Sequence, residues 1–174
     1  MKKCLIVYAS GTGNTEKIAF ALERNFIRHH WYCDVKKITK NYDVNNPDFE
    51  FEDYDFVCVG SPVIWRLPKE EIVHLMRFRE RPHGRRIVPG PKSGLVFCSY
   101  AGIHLGPKEA IATLAMLEIE LEHLAFNVVD RIAIPGRYID KETKKWFHGD
   151  IRNMPTEKDL AGVSTVVDRI MEQI

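Results

Sequence analysis

Six consecutive residues near the start of the sequence combine glycines with small polar side chains in a spacing suited to binding an anion. They are Ser10, Gly11, Thr12, Gly13, Asn14 and Thr15. Gly11 and Gly13 allow backbone amides to approach an anion closely, and the positive N-terminal end of a following helix adds to the attraction. The hydroxyl and amide side chains add neutral donors. This segment predicts a pocket for a terminal phosphate monoester; the alternative is a capped turn that holds no ligand.

Two other phosphate-binding loops do not fit this segment. A Walker A loop ends in Gly-Lys-Ser/Thr, whereas Gly13 is followed by Asn14. The dinucleotide-binding fingerprint has Gly or Ala at its third glycine position, where this chain has Glu16. It also places an acidic residue at the end of the second strand, and residues 35–38 read Val-Lys-Lys-Ile. Both loops are therefore excluded.

The elements that must position this turn alternate between strands and helices. Apolar runs typical of strands predict five of them, at residues 4–8, 31–38, 53–60, 93–99 and 127–134. Helical spacing predicts helices that begin near Asn14, Pro68, Lys108 and Thr156. This alternation implies right-handed crossovers and a parallel sheet between two helical layers. The expected fold is an α/β three-layer sandwich with strand order 2-1-3-4-5, in one domain spanning residues 1–174.

In such a sheet, ligands bind beyond the carboxyl ends of the strands, which directs attention to the loops after strands one, three and four. The loop after strand three contains Ser61, Pro62, Val63, Ile64, Trp65 and Arg66. The loop after strand four contains Ser99, Tyr100, Ala101, Gly102 and, further along, His104. Trp65 offers a large flat surface for a planar ligand. Its alternative interpretation is a core tryptophan.

At this point the sequence resembles a known family. Residues 7–19 (VYASGTGNTEKIA) are similar to the phosphate-loop signature of the flavodoxins, and the resemblance extends to residues 154–160 (MPTEKDL). It is weakest across residues 77–92 and 135–153. The resemblance implies a flavodoxin-like fold with FMN as the cofactor. It also implies that Ser10, Thr12, Asn14 and Thr15 hold the FMN phosphate together with the amide of Gly13.

By the same resemblance, residues 61–65 contact the flavin ring, which lies between Trp65 and Tyr100. The backbone of Ala101 and Gly102 donates to the pyrimidine edge. Family members often have glycine after the aromatic residue of the second loop, where this chain has Arg66. We hypothesise that its guanidinium approaches the N1–C2=O edge of the flavin and raises the redox potential; the alternative is a solvent-facing side chain.

Two functional classes remain open within this resemblance. His104, followed by Gly106, resembles the histidine-glycine stretch of flavodoxin-like NAD(P)H:quinone reductases of the tryptophan-repressor-binding type. That class implies NADPH or NADH as the electron donor, a quinone or similar small acceptor, and His104 near the substrate. The near-neutral charge, His104 and the long aromatic segment 135–155 favour this oxidoreductase. The alternative class, favoured by the compact size and single domain, is a single-electron carrier between redox partner proteins. A third alternative is a scaffold that has the fold and no flavin.

Composition sets further bounds on function. The 174 residues are 45% hydrophobic and 28% charged with net charge +1, so no global field favours nucleic acid or a membrane. No apolar stretch approaches the roughly 18 residues of a membrane span, and residues 4–9 are too short for a secretory signal. We expect a cytoplasmic protein, with homo-oligomerisation left open.

The remaining candidate groups are set aside or left open. The four cysteines lack metal-ligand spacing, and nothing in the sequence calls for a disulfide. Cys98 borders the third loop, so a reactive thiol is left open there. Adjacent His29 and His30 do not face the same way on a helix, which argues against a metal site. The basic segment 77–92 is either a solvated face or attracts an acidic partner. The segment 135–155, with Trp146 and Phe147, either covers the flavin or closes a subunit interface.

Overall fold

The computed structural model describes residues 1–79, 90, 92–101, 105–137 and 154–174. Its five strands are β1 (Lys3–Tyr8), β2 (Tyr32–Lys37), β3 (Phe56–Pro62), β4 (Ser93–Tyr100) and β5 (Asn127–Pro135). Its four α-helices are α1 (Asn14–Arg28), α2 (Glu70–Arg79), α3 (Ile111–His123) and α4 (Glu157–Met171). All strand pairs are parallel and the order is β2-β1-β3-β4-β5, which confirms the predicted order 2-1-3-4-5.

Two hydrophobic cores lie on opposite faces of the sheet, because successive strand side chains alternate between faces. In β1, Cys4, Ile6 and Tyr8 face helices α1 and α4. Leu5 and Val7 face helices α2 and α3. Since both faces are covered, the central strands are mostly apolar, and the three-layer sandwich follows from this pattern.

Several predicted boundaries were wrong by a few residues. β3 begins at Phe56 rather than residue 53, because Phe51–Asp53 form a 3₁₀ turn. The second helix begins at Glu70 rather than at Pro68, and the amide of Lys69 before it donates to Ser61 Oγ over 2.7 Å. The third helix is split: Gly106–Ala110 are 3₁₀, and α3 begins at Ile111.

The start of the last helix was predicted correctly. Thr156 is the N-cap of α4, and its hydroxyl accepts from the amide of Asp159 while the Asp159 carboxylate accepts from the Thr156 amide. This reciprocal capping box satisfies two of the donors that a helix N-terminus leaves without partners. Within the described residues, no helix is both long and apolar enough to cross a bilayer.

Candidate functional site

The first βα turn bends through a left-handed glycine. Gly13 is the N-cap of α1 with φ +85°, a conformation that costs glycine little and other residues more. Its amide donates to Ser10 Oγ over 3.1 Å, and its carbonyl accepts from the amide of Lys17, which is the first bond of the helix. No side chain caps α1. The amides of its first turn therefore remain directed outward at the positive end of the helix.

The hydroxyls of this turn are oriented as donors. Ser10 Oγ accepts from the Gly13 amide, and Thr12 Oγ1 accepts from the Asn14 side-chain amide over 3.0 Å. A hydroxyl that accepts a hydrogen bond keeps its own proton free to donate. Thr12 and Gly11 are exposed. The turn thus offers hydroxyl and amide protons, without a lysine or arginine in the loop itself.

Asn14 is held in place by residues that directly follow β5. Both hydrogens of its side-chain amide are used, one on Thr12 Oγ1 and one on the main-chain oxygen of Arg137 at 2.6 Å. The residue is only 7% exposed, and Gly136 packs directly against its side chain. Its amide therefore fixes the turn in place.

Thr15 connects the turn to β4. Its hydroxyl lies 2.8 Å from the hydroxyl of Ser99 near the end of β4, and both residues are buried. One of the two hydroxyls donates in this pair, so one proton remains for a further acceptor. The pair brings the predicted first and third loops together.

The second loop is a tight two-residue turn. Ile64 and Leu67 exchange both main-chain hydrogen bonds, at 2.8 and 3.0 Å, across Trp65 and Arg66. The φ angles of the two central residues are +52° and +71°, the left-handed pair that a type I′ turn requires. Non-glycine residues reach this region at a cost of roughly 1–2 kcal/mol each, and such strain is concentrated at functional sites.

This turn displays Trp65 to solvent. Its side chain is 88% exposed, so the alternative of a core tryptophan is wrong. Arg66 is exposed beside it, as are the flanking residues Ile64 and Leu67. A large flat apolar ring with this exposure, held on a defined turn, is a surface suited to a planar ligand.

Some residues predicted for the second and third loops belong to the strands. Ser61 and Pro62 pair with Cys98 and Ser99, so β3 and β4 extend further than expected. The Ser61 hydroxyl accepts from the Lys69 amide and donates to the Pro62 oxygen, which commits it to the start of α2. Val63 continues the ladder by donating to Ser99.

Tyr100 is the last residue of β4. It is 6% exposed and its ring belongs to the core facing α2 and α3, while its main-chain oxygen accepts from the Gly136 amide over 2.7 Å. Burial raises the pKa of its hydroxyl. Its role as the second ring-facing aromatic stays a prediction. Ala101 is partly exposed, and Gly102 and His104 lie outside the described residues.

One feature of the site was missed at the sequence level. Glu16, in the first turn of α1, accepts from Tyr8 Oη at 2.7 Å and pairs with Lys37 Nζ at 2.9 Å. These bonds, that to Lys37 above all, hold the pKa of Glu16 below its ordinary value, while burial and Glu16 raise that of Tyr8. Tyr8 and Lys37 are register partners that end neighbouring strands, and that spacing was the signal available in the sequence.

Among the other side chains weighed in the sequence, Cys98, His29 and His74 lie in the described part of the chain. Cys98 is fully buried, and burial raises the pKa of its thiol to about 12, so it is not the reactive thiol considered above. His29 Nε2 lies 2.7 Å from Asp168 on α4, and His74 is exposed on α2. Within the described part of the chain, no three metal-ligating side chains are placed to hold an ion. Most of the segments 77–92 and 135–155 lies outside that part.

Comparison with known proteins shows the same architecture. No family model and no curated protein matches the sequence. Among solved structures, oxidised Flavodoxin 2 from Bacillus cereus has a TM-score of 0.69 at 20% identity, with 99% of each chain covered. The Streptococcus pneumonia TIGR4 flavodoxin has a TM-score of 0.68 at 16% identity, again with 99% of each chain covered. Rubredoxin oxygen:oxidoreductase from Desulfovibrio gigas has a TM-score of 0.67 at 19% identity, and the match covers 97% of this chain and 35% of that one. The fold is flavodoxin-like.

Proposed function

We propose that this chain, which has the flavodoxin-like fold, binds FMN and functions as a redox protein. The observation that carries the proposal is the first βα turn, in which Ser10 and Thr12 accept hydrogen bonds from Gly13 and Asn14 and so keep their own protons for an anion. The uncapped N-terminus of α1 adds backbone donors and a positive dipole end. This neutral donor set matches the phosphate monoester of FMN.

The residues present fit the two chemically different ends of FMN. The hydroxyls of Ser10, Thr12 and Thr15, with the first-turn amides of α1, would hold the phosphate, and Asn14 would position them through Arg137. The exposed face of Trp65 would cover the ring. When bound, FMN supplies the electron or hydride transfer itself, so the protein's task is to orient the cofactor and set its potential.

Arg66 is proposed to set that potential. It follows Trp65 in the two-residue turn, with its backbone held in the left-handed region. A guanidinium at this position would stabilise negative charge on the reduced ring and raise the midpoint potential. Replacement of Arg66 by Gly should lower the midpoint potential of the FMN complex, and an unchanged or higher value would contradict this role.

The electron-carrier form of the function is supported by the comparisons, because two solved flavodoxins match over 99% of both chains. The second candidate is an NAD(P)H-dependent FMN oxidoreductase acting on a quinone or similar small acceptor. The near-neutral net charge of +1 favours this class, because small carriers that dock on basic redox partners are often strongly acidic. His104, the residue predicted to lie near its substrate, is outside the described residues.

The primary test is FMN binding by the purified chain. We expect a yellow protein, or an apoprotein that quenches added FMN on titration. The variant Thr12→Val should weaken binding, because it keeps the shape of the side chain and removes the donor. The matched control is Thr165→Val, an exposed position on α4 away from the turn. A colourless protein that stays colourless with FMN would establish the flavin-free scaffold instead.

A second experiment separates the two redox classes. The FMN complex is mixed anaerobically with NADPH or NADH. Rapid bleaching of the yellow colour identifies the oxidoreductase. No bleaching, followed by reversible reduction with a chemical or protein electron donor, identifies the carrier.

A further inference from the structure

Three thiols meet on one face of the sheet, far from the turn described above. Cys4 in β1 and Cys33 in β2 are direct register partners, and Cys58 lies on β3, the other neighbour of β1. Cys4 and Cys58 are fully buried in the core under α1 and α4, and Cys33 packs against the same core. Burial raises the pKa of the Cys4 thiol, and the neighbouring thiols of Cys33 and Cys58 act in the same direction.

Exposure distinguishes the three thiols. Cys33 is partly exposed, whereas Cys4 and Cys58 have no accessible surface. Cys33 also lies on β2, an edge strand that is paired on one side only. A small oxidant in solvent therefore reaches Cys33 first.

The spacing of the strands permits a bond between Cys33 and Cys4. Neighbouring strands lie roughly 4.7–4.9 Å apart, and disulfides form between residues whose Cα atoms are about 4.4–6.8 Å apart. Cys58 is less well placed, because the register partner of Cys58 in β1 is Ile6 and that of Cys4 in β3 is Phe56. Cys4 is thus directly opposite Cys33 and offset from Cys58.

We propose that Cys33 is a peroxide-oxidation site and that Cys4 resolves it by forming an intramolecular disulfide that joins β1 to the edge strand β2. In the first step a peroxide transfers one oxygen to the Cys33 sulfur, giving a sulfenic acid and water (from hydrogen peroxide). In the second step the Cys4 sulfur attacks the Cys33 sulfur and the S–O bond breaks. The hydroxide leaves with the Cys4 proton as water, so two thiols are oxidised by two electrons and one peroxide is reduced.

The Cys4 thiol limits the second step. A thiolate is the attacking species, and the buried Cys4 holds its proton more firmly than an exposed thiol. The disulfide should therefore form faster as the pH rises, while the sulfenic acid accumulates at lower pH.

The test uses the full chain and hydrogen peroxide, followed by alkylation of the remaining thiols and peptide mapping without reduction. We expect a peptide that joins Cys4 to Cys33, two of the four thiols lost per chain, and full reversal by dithiothreitol. Cys33→Ser should abolish the cross-link. Cys4→Ala should leave Cys33 as a sulfenic acid that a dione reagent traps.

The matched control is Cys98→Ser, which removes a buried thiol from the opposite face and should leave the cross-link unchanged. If Cys4→Ala fails to fold, the partly exposed Cys33→Ser variant decides the question alone. Four intact thiols after a treatment that oxidises free cysteine would overturn the proposal. A disulfide between two chains, or one between Cys4 and Cys58, would also overturn it.

Discussion

The side-chain amide of Asn14 donates to the main-chain oxygen of Arg137 over 2.6 Å, which ties the first βα turn to the end of the fifth strand. Gly136, next to Arg137, donates to the oxygen of Tyr100 at 2.7 Å. Through these two bonds, the residues that directly follow β5 hold both the turn after β1 and the end of β4. The geometry of the candidate phosphate site therefore depends on residues more than a hundred positions away.

Gly136→Ala tests this connection. A Cβ at position 136 would lie 2.7–2.9 Å from the side-chain atoms of Asn14, so Asn14 has to move. We expect the free energy of unfolding to fall by about 1–3 kcal/mol, as for other overpacked sites. We also expect FMN affinity to fall about tenfold or more, measured by fluorescence titration of the apoprotein.

Gly162→Ala is the control for this substitution. Gly162 lies on α4, and a Cβ there would meet no atom within 4 Å. The free energy of unfolding should therefore stay the same or rise by up to about 1 kcal/mol, because alanine has a higher helix propensity than glycine. Equal FMN affinity for the Gly136→Ala variant and the wild type would show that the end of β5 does not position the turn.

Trp65→Ala separates ligand binding from folding. The side chain is 88% exposed, so its removal should change the free energy of unfolding of the apoprotein by less than about 0.5 kcal/mol. FMN affinity should fall about tenfold, because a flat ring that stacks on the ligand is lost. Ile27→Ala, at another exposed apolar position on α1, should leave FMN affinity unchanged. Unaltered FMN affinity in Trp65→Ala would remove Trp65 from the site.

Arg66→Gly tests the strain in the second loop. Glycine removes the left-handed penalty of roughly 1–2 kcal/mol and adds backbone entropy to the unfolded chain of roughly 0.5–1 kcal/mol. With φ at +71°, the apoprotein should therefore gain between roughly 0 and 1.5 kcal/mol, measured by urea unfolding. Arg66→Ala, which removes the charge and keeps the strain, should bring no gain. A gain of equal size in both variants would assign the effect to the charge.

The sequence was sufficient to predict the strands and their order. β1, β3 and β4 each contain a continuous apolar run because both faces of the sheet are covered, and such runs stand out in a single sequence. The glycine-rich turn after β1 then limited the strand order to one doubly wound arrangement. These features are local, so local patterns reveal them.

The finer geometry of the site could not be predicted in the same way. The bond from Asn14 to Arg137 joins residues 123 positions apart, and no local pattern encodes it. The left-handed turn at Trp65 and Arg66 contains no glycine to signal it. Ser61 was expected in a loop, but it belongs to β3, and its hydroxyl accepts from the Lys69 amide just before α2. Each of these features depends on tertiary contacts.

Lys37→Met tests the charge network beside the turn. Since the folded-state pKa of Glu16 is lowered, its carboxylate stabilises the fold above its ordinary pKa of about 4.3, and this contribution is lost as pH falls through the lowered value. Without the Lys37 ammonium, the largest cause of the shift, the pKa of Glu16 should rise towards the ordinary value. Carboxyl chemical shifts followed by NMR measure this directly.

Lys36→Met is the matched control, because Lys36 pairs with Asp48 and not with Glu16. It should leave the Glu16 titration as it is in the wild type.

FMN affinity should also fall in Lys37→Met, because an uncompensated carboxylate then lies beside the phosphate site. Added salt should reduce this difference in affinity. An unchanged Glu16 pKa in Lys37→Met would mean that Tyr8 alone maintains the shift.

Gly60→Ala tests the packing beneath the site. Gly60 accepts from the amide of Ala9 over 3.0 Å and so aligns β1 with β3 just before both loops. A Cβ at position 60 would lie 2.1–2.6 Å from three ring atoms of Phe97 on β4, so the ring has to be displaced. We expect the free energy of unfolding to fall by about 3 kcal/mol or more, at the upper end for overpacking.

Phe97→Leu decides whether that ring is the cause. A shorter side chain relieves the clash, so the double variant Gly60→Ala/Phe97→Leu should lose less stability than the sum of the two single variants. Contacting residues of this kind show coupling of roughly 0.5–3 kcal/mol, and urea unfolding of all four proteins measures it. Gly60 and Phe97 are register partners and both are buried. If the losses of stability in the two single variants simply add in the double variant, the new methyl group acts through the backbone of β3 and not through the ring.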